Sequence, residues 1–424
     1  MPKLIRQFNV NKTLLENFIS LSFLQLLSFI LPLITLPYLV QVLGIEKYGT
    51  LIFIQTLIFN LNVFVAYGFD MTITDTISKN VSNKSFVDSI FNSVIFAKLI
   101  LLVLGWLILI SYCIYIDCDT ATRNLYQLMY LWVVGNAIFP QWYFQGIQKM
   151  KYITFVHLIS KLSFTLLIFI FVKSTDDLSI AILCFSIGSL LSGIFSLIIA
   201  YTKFKVSFLF PPFKLIIYVI KDGFYIFFSQ AMVTIYLSSN VFFLKSFYGD
   251  VSVGLYSIAY KLFDAIRMVT SPITQTTFPY FSNLYVNNLL EYKKKFMRLE
   301  IFSLVLFLCI GVLLFLTSDF LIFLISKENN PIAVNALQLF GLASFLLPFG
   351  TIFTQKLIIQ NQKQQLFFIT IIACLLNIGF AYFAVKYFNV NGSVYTIIFT
   401  LLFISVTKGI VSYKNLLSKI TAAS

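Results

Sequence analysis

From Leu178 to Thr202 the chain runs 25 residues without an Asp, Glu, Lys, Arg or His. As an α-helix this stretch is about 37 Å long, at ~1.5 Å per residue, which exceeds the ~30 Å hydrocarbon core of a bilayer. Apolar segments of similar length recur along the sequence. At about 20 residues per crossing, twelve spans are expected, at 14–41, 48–69, 88–115, 124–146, 152–173, 178–202, 218–247, 253–286, 299–318, 332–361, 365–387 and 391–412. The segments between them are too short for a soluble domain. Composition agrees: 11% of residues are charged and 49 of 424 are Phe, against about a quarter charged in soluble domains. The expected fold class is an all-α integral membrane protein. MPKLIRQFNVNK has no apolar core with a small-residue cleavage site, so the first hydrophobic segment is expected to remain as a span.

The net charge of +14 would suit nucleic acid in a soluble protein. Here it is assigned to topology, because Lys and Arg collect in cytoplasmic loops, and no nucleic-acid partner is expected. Sorting alternate connections places nineteen basic residues on one side, Lys408 among them, and five on the other. Both termini are therefore expected in the cytoplasm, as an even number of spans requires. Single His and scattered Cys residues offer no metal-ligand spacing, and no cofactor is expected.

Six bases remain inside the spans: Lys98, Lys161, Lys245, Lys261, Arg267 and Lys356. Facing lipid at mid-depth they would cost about 15–20 kcal/mol together, so they must face water, partners or ligand. Asp264 is the acid expected among them. Steps of three residues put Lys261, Asp264 and Arg267 within a ~120° arc of one helix. Thr154, His157, Lys161 and Thr165 form a polar stripe on another. Lys98 is too deep to reach the surface easily, whereas Lys245 and Lys356 lie near span ends, where snorkelling competes with a cavity role. Gln25, Gln55 with Asn62, and Gln230 on the face that carries Lys245, are further cavity or gate candidates. The cationic interior suits an anionic cargo, since one charge pair at ~4 Å is worth about 4 kcal/mol at an effective dielectric of 20.

An internal repeat organises these features. VLGIEKYGTLIFIQTL (42–57) aligns with FYGDVSVGLYSIAYKL (247–262): Gly44 and Gly49 fall on Gly249 and Gly254 at an offset of 205, and Gln25 falls on Gln230. Pro140 and Pro348 correspond at a nearby offset of 208. Six spans separate each pair, so the copies share one orientation, as in transporters whose halves enclose a central site. The expected domains are two six-helix bundles, 1–210 and 211–424, around a central cationic cavity.

LPLITLPYLVQVLGIEKYGTLIFIQ followed by AYGFDMTITDTISKN resembles the N-terminal signature of Wzx-type O-antigen flippases. These form part of the polysaccharide-transporter branch of the MATE-like superfamily. VGLYSIAYKLFDAI and SPITQTTFPYFS are similar to the family's seventh-to-eighth-helix region. The resemblance implies a carrier of undecaprenyl-diphosphate-linked oligosaccharide working by alternating access in the bacterial inner membrane, among membrane lipids. Polymerase and chain-length proteins of the same pathway are the implied protein partners. It also marks Asp70, in YGFD, as a polar signature position, read as a gate residue or a helix cap. H+ or Na+ is the candidate coupling ion, with His157 and Asp264 the interior groups that titrate nearest neutral pH. Two alternatives stay open. A multidrug exporter of the same superfamily would need interior carboxylates for cationic cargo. A membrane enzyme of polysaccharide assembly would need a larger outer loop than the ~13 residues of 319–331, and an enzyme is not expected.

Overall fold

The computed structural model describes the backbone of residues 2–423, and the side chains of residues 30–421 apart from Gln275, Pro279, Lys363 and Ile420. Fourteen α-helices carry this backbone. They are α1 (Pro2–Ala66), α2 (Phe69–Lys79), α3 (Lys84–Tyr115), α4 (Thr120–Ile138), α5 (Gln141–Gly146), α6 (Met150–Phe171) and α7 (Leu178–Thr202). The second half follows with α8 (Phe213–Met268), α9 (Thr270–Asn287), α10 (Leu289–Leu316), α11 (Ser318–Ser326), α12 (Pro331–Ala343), α13 (Leu347–Ile359) and α14 (Lys363–Ala423). Several starts are written locally. Asp119 accepts from the amides of Ala121 and Thr122 at the head of α4, and Asn330 accepts from Ile332 and Ala333 just before Pro331 opens α12. Such caps satisfy amides that have no intrahelical partner.

Eight helical stretches among the described residues are long and apolar enough to cross a membrane. This is a multi-pass membrane protein. Three of its long helices break at one residue each: Gly44 (φ 79°), Gly249 (φ 77°) and Asn389 (φ 52°). Short connections were expected at 42–47, 248–252 and 388–390; each narrows to one residue of positive φ, because one such residue suffices to redirect a helix. The φ/ψ pairs of Gly44 and Gly249 lie in a region that is essentially glycine's alone. Gly44→Ala and Gly249→Ala should each cost about 1–3 kcal/mol, whereas Asn389→Gly should be neutral or stabilising. Thermal unfolding of the purified protein in detergent reads all three.

The proline pair of the repeat marks helix starts too. Pro140 caps α5 after α4 has stopped at Ile138, and Pro348 sits in the first turn of α13. The fourth and tenth spans, expected as continuous helices, are therefore broken, since the proline ring cannot continue the preceding hydrogen-bond ladder. In the eighth span the hydrogen-bond ladder is interrupted at Val269, three residues before Pro272, while the backbone there stays helical. The outer loop expected at 319–331 instead contains most of the short helix α11, which buries Ile322 and Ile325.

The chain divides into two compact units: 1–43 with 54–234, and 44–53 with 235–424. The sequence division at 210/211 thus differs from the packing division at two places. In the first unit, α4 and α7 meet along small residues: Ser186 and Ser189 hydroxyls donate to the carbonyls of Leu128 and Trp132 at 2.6 and 2.9 Å. A Cβ on Gly135 or Gly193 would strike the opposite backbone. Close packing and interhelical hydrogen bonds replace a hydrophobic drive that lipid does not supply. Phe91, Trp142, Tyr143 and Phe144 fill an aromatic core beside this seam.

In the second unit α10 and α12 approach as closely, at Gly311 and Gly341. Residues 44–53 belong here for a steric reason. A Cβ on Gly49 would strike the Asp250 carbonyl, and one on Gly254 would strike the Ile45 carbonyl. At the repeat offset these are one contact read in both directions, an internal version of the self-complementary contact made by two-fold dimers. Gly49→Val should therefore destabilise the protein by about 1–3 kcal/mol, as overpacking does.

Candidate functional site

Each unit holds a cavity lined by intramembrane charge. In the first unit a cavity of about 60 Å³ is lined by Asn62, Asp70, Lys98, Asn136 and Gln141, among others. Lys98 reaches it from α3 and is 3% exposed. Asp70 enters from the first turn of α2, where the helix dipole favours a carboxylate. The two charges interact across the cavity without ion-pair contact, and one Asp70 carboxylate oxygen is buried without a hydrogen-bond partner among the described residues. Three carboxamides complete a ring of donors and acceptors, with room for a few waters. His157, on α6, joins this ring from behind: its Nε2 is 3.4 Å from Gln141 Oε1, and its ring meets Phe139 edge-on at 5.0 Å. Lys161, half-buried one turn further along α6, is within electrostatic reach of His157.

The cavity of the second unit is larger, about 250 Å³. Its polar lining is Tyr236, Tyr260, Arg267, Thr351, Thr354, Thr400 and Lys408, on a wall otherwise made of Leu, Ile, Phe and Gly350. Arg267 pairs with Asp264 one turn back, Nη2 to Oδ1 at 2.6 Å and Nε to Oδ1 at 2.7 Å. Lys408 donates to Thr354 Oγ1 at 2.8 Å. Lys261 points elsewhere, its ammonium 5.5 Å from the centroid of the Tyr48 ring. The expected Lys–Asp–Arg face therefore separates into an Arg–Asp pair at the cavity and a cation–π contact beside it.

Two of the remaining bases stand in ion pairs. Lys245 pairs with Asp250 at 2.5 Å, bridging the break at Gly249, and lies over the Phe53 ring. Lys356, fully buried, donates to Glu300 Oε1 at 3.1 Å, while the Tyr413 hydroxyl donates to the other Glu300 oxygen. Lys356 also lies 3.3 Å above the Tyr413 ring. Lys356 is enclosed by protein, Lys245 is half-buried, and neither lines the two cavities described. Gln55 and Gln230 are half-buried outside both cavities, with Gln55 Nε2 unpartnered among the described residues. Gln25 lies outside the residues whose side chains are described.

Asp264 is not the sole interior acid: Glu300 and Asp88 are buried as well. Glu300 was masked by the basic run Lys293–Arg298, which reads as a loop. In fact α10 begins at Leu289, so Glu300 is three turns inside the helix. Lys408 was assigned to a cytoplasmic connection by its charge, yet it is 8% exposed within α14. The flanks LFISVT and GIVS, apolar on both sides, were the signal that marked it.

The model of the family described as "Polysaccharide biosynthesis protein" matches residues 14–285. A protein of Escherichia coli (strain K12) is 30% identical over 402 residues, covering 92% of this chain and 95% of its own length. One of Shigella dysenteriae is 28% identical, covering 88% of this chain and 93% of its own length. Both carry the name "Putative O-antigen transporter". Among solved structures, an inward-facing multidrug resistance MATE family transporter superposes with a TM-score of 0.73 at 17% identity, over 93% of this chain and 96% of its own. The lipid II flippase MurJ in an inward closed conformation gives 0.73 at 15% identity, over 95% and 89%. The fold is the one these transporters share, and on the family match and the Escherichia coli relative the chain belongs to the polysaccharide biosynthesis protein family.

Proposed function

We propose that this protein is a flippase that moves undecaprenyl-diphosphate-linked O-antigen units, or a similar surface-polysaccharide repeat, across the bacterial inner membrane by alternating access. The observation that carries this reading is an excess of positive charge at one cavity: Arg267, paired with Asp264, and the buried Lys408 line it together. Such charge is retained inside a membrane where it meets ligand or water, and an anionic glycan carrier has the opposite sign. The names of the two relatives support the same cargo class. Twelve crossings, cytoplasmic termini, and an H+ or Na+ coupling ion belong to the proposal. So do contacts with polymerase and chain-length proteins.

The multidrug alternative is disfavoured by where the carboxylates are. A cationic drug needs acids free to receive it; Asp264, Glu300 and Asp250 are each held by a base, and Asp70 shares its cavity with the Lys98 cation. Likeness to a MATE transporter at 17% identity speaks to fold. The protein is read as a transporter and not an enzyme on the names of its two relatives.

The test is deletion of the gene in its native strain. Loss of surface polysaccharide, with lipid-linked units accumulating on the inner leaflet and recovery on re-expression, is the expected result. Unchanged surface glycan, with sensitivity to cationic dyes instead, would establish the multidrug reading.

A further inference from the structure

The two cavities differ in charge balance. In the first unit Lys98 faces Asp70, so that cavity is neutral and already supplied with amide donors and acceptors. In the second unit the Asp264 carboxylate is engaged by Arg267, and Lys408 has no carboxylate within ion-pair distance among the described residues. Its one partner there is a neutral hydroxyl, that of Thr354. An ammonium has three donors, so two remain for the cavity it lines. A buried cation without a counter-ion costs several kcal/mol in an ordinary interior and is retained only where something compensates it. The rest of the wall narrows what that is. Tyr236 and Tyr260 present aromatic surface, and Thr351, whose hydroxyl donates to the Pro348 carbonyl, keeps its oxygen as an acceptor, a mixture suited to a sugar ring and its hydroxyl groups.

We infer that the cavity of the second unit is a subsite for an oxyanion borne on a sugar, with Lys408 as its counter-ion, Thr354 orienting that ammonium, and Arg267 the second cation. This rests on the flippase reading and sharpens it: the charged part of the glycan, and not a neutral sugar, is what the second unit selects. The oxyanion is a carboxylate of an acidic sugar or a phosphate.

The experiment uses the full-length protein in detergent and measures ligand-dependent thermal protection with glucuronate, inorganic phosphate and glucose. Saturable protection by glucuronate or phosphate, absent with glucose, is expected in the wild type, and the anion that protects identifies the source. Lys408→Gln should weaken that protection by about tenfold or more, as loss of a charge-assisted hydrogen bond does, and Lys408→Arg should recover part of it. Thr354→Val should weaken it less. Protection by none of the anions, or protection that Lys408→Gln leaves unchanged, overturns the subsite. The flippase reading fails separately: if the deletion strain exports normally, the cargo is wrong, whereas if only the Lys408→Gln strain exports normally, the subsite alone is wrong.

Discussion

Replacing Lys98 with Met should cut glycan export to roughly a hundredth of the wild-type level while the protein still inserts. The change removes a buried cation and leaves Asp70 facing Asn62, Asn136 and Gln141 alone. One charge pair at an effective dielectric of 20 is worth on the order of 2–4 kcal/mol, and each 1.4 kcal/mol is about a factor of ten. Stability and transport can be separated with a second substitution. In Lys98→Met with Asp70→Asn the cavity is neutral again, so thermal stability in detergent should return close to wild type. If Lys98 serves transport, export stays low in the double variant. If the pair is merely structural, export returns with stability. Surface glycan quantified against membrane protein abundance distinguishes the outcomes.

The second large effect concerns stability. Glu300→Gln should destabilise the protein by about 3–5 kcal/mol, because it strands the Lys356 ammonium in the interior of the second unit. Two donors converge on that carboxylate, Lys356 from α13 and Tyr413 from α14, so one substitution loosens three helices. Glu300→Leu combined with Lys356→Met should recover most of the loss, since a buried ion pair can often be replaced by apolar residues of similar volume. The unfolding midpoint in detergent measures both variants. A midpoint unmoved by Glu300→Gln would mean that water already reaches the pair.

Both predictions rest on side chains that sequence reasoning treated unequally. Lys98 could be placed at depth because a charge ten residues inside an apolar run has no short route to water, and the cavity is where it was found. Lys356 was equally visible as an interior base, but its partner was not. Glu300 follows four basic residues within eight positions, and charge density alone makes that stretch look like a cytoplasmic loop. The helix that runs through it is held by the cap at Asn288 and by packing of Tyr292 and Phe296 in the core, neither of which a hydropathy reading can see. Lys408 is the converse case. Its apolar flanks placed it in a span, and its charge then assigned it to a loop; burial shows that the flanks were the better guide.

Hydropathy by itself marked an α-helical multi-pass membrane protein, and the 205-residue repeat led to the expectation of two copies. They also placed connections at 42–47 and 248–252, because lipid tolerates only long, internally hydrogen-bonded apolar helices; that each narrows to one glycine, Gly44 or Gly249, was set by the folded backbone. Which charges face one another was decided by tertiary structure alone. Helical periodicity sets the face on which a side chain stands, not the helix packed against that face. Lys98 with Asp70, Lys356 with Glu300, and Lys408 with a cavity are therefore relations between segments distant in the chain, created by packing and stabilised by the low dielectric that packing produces.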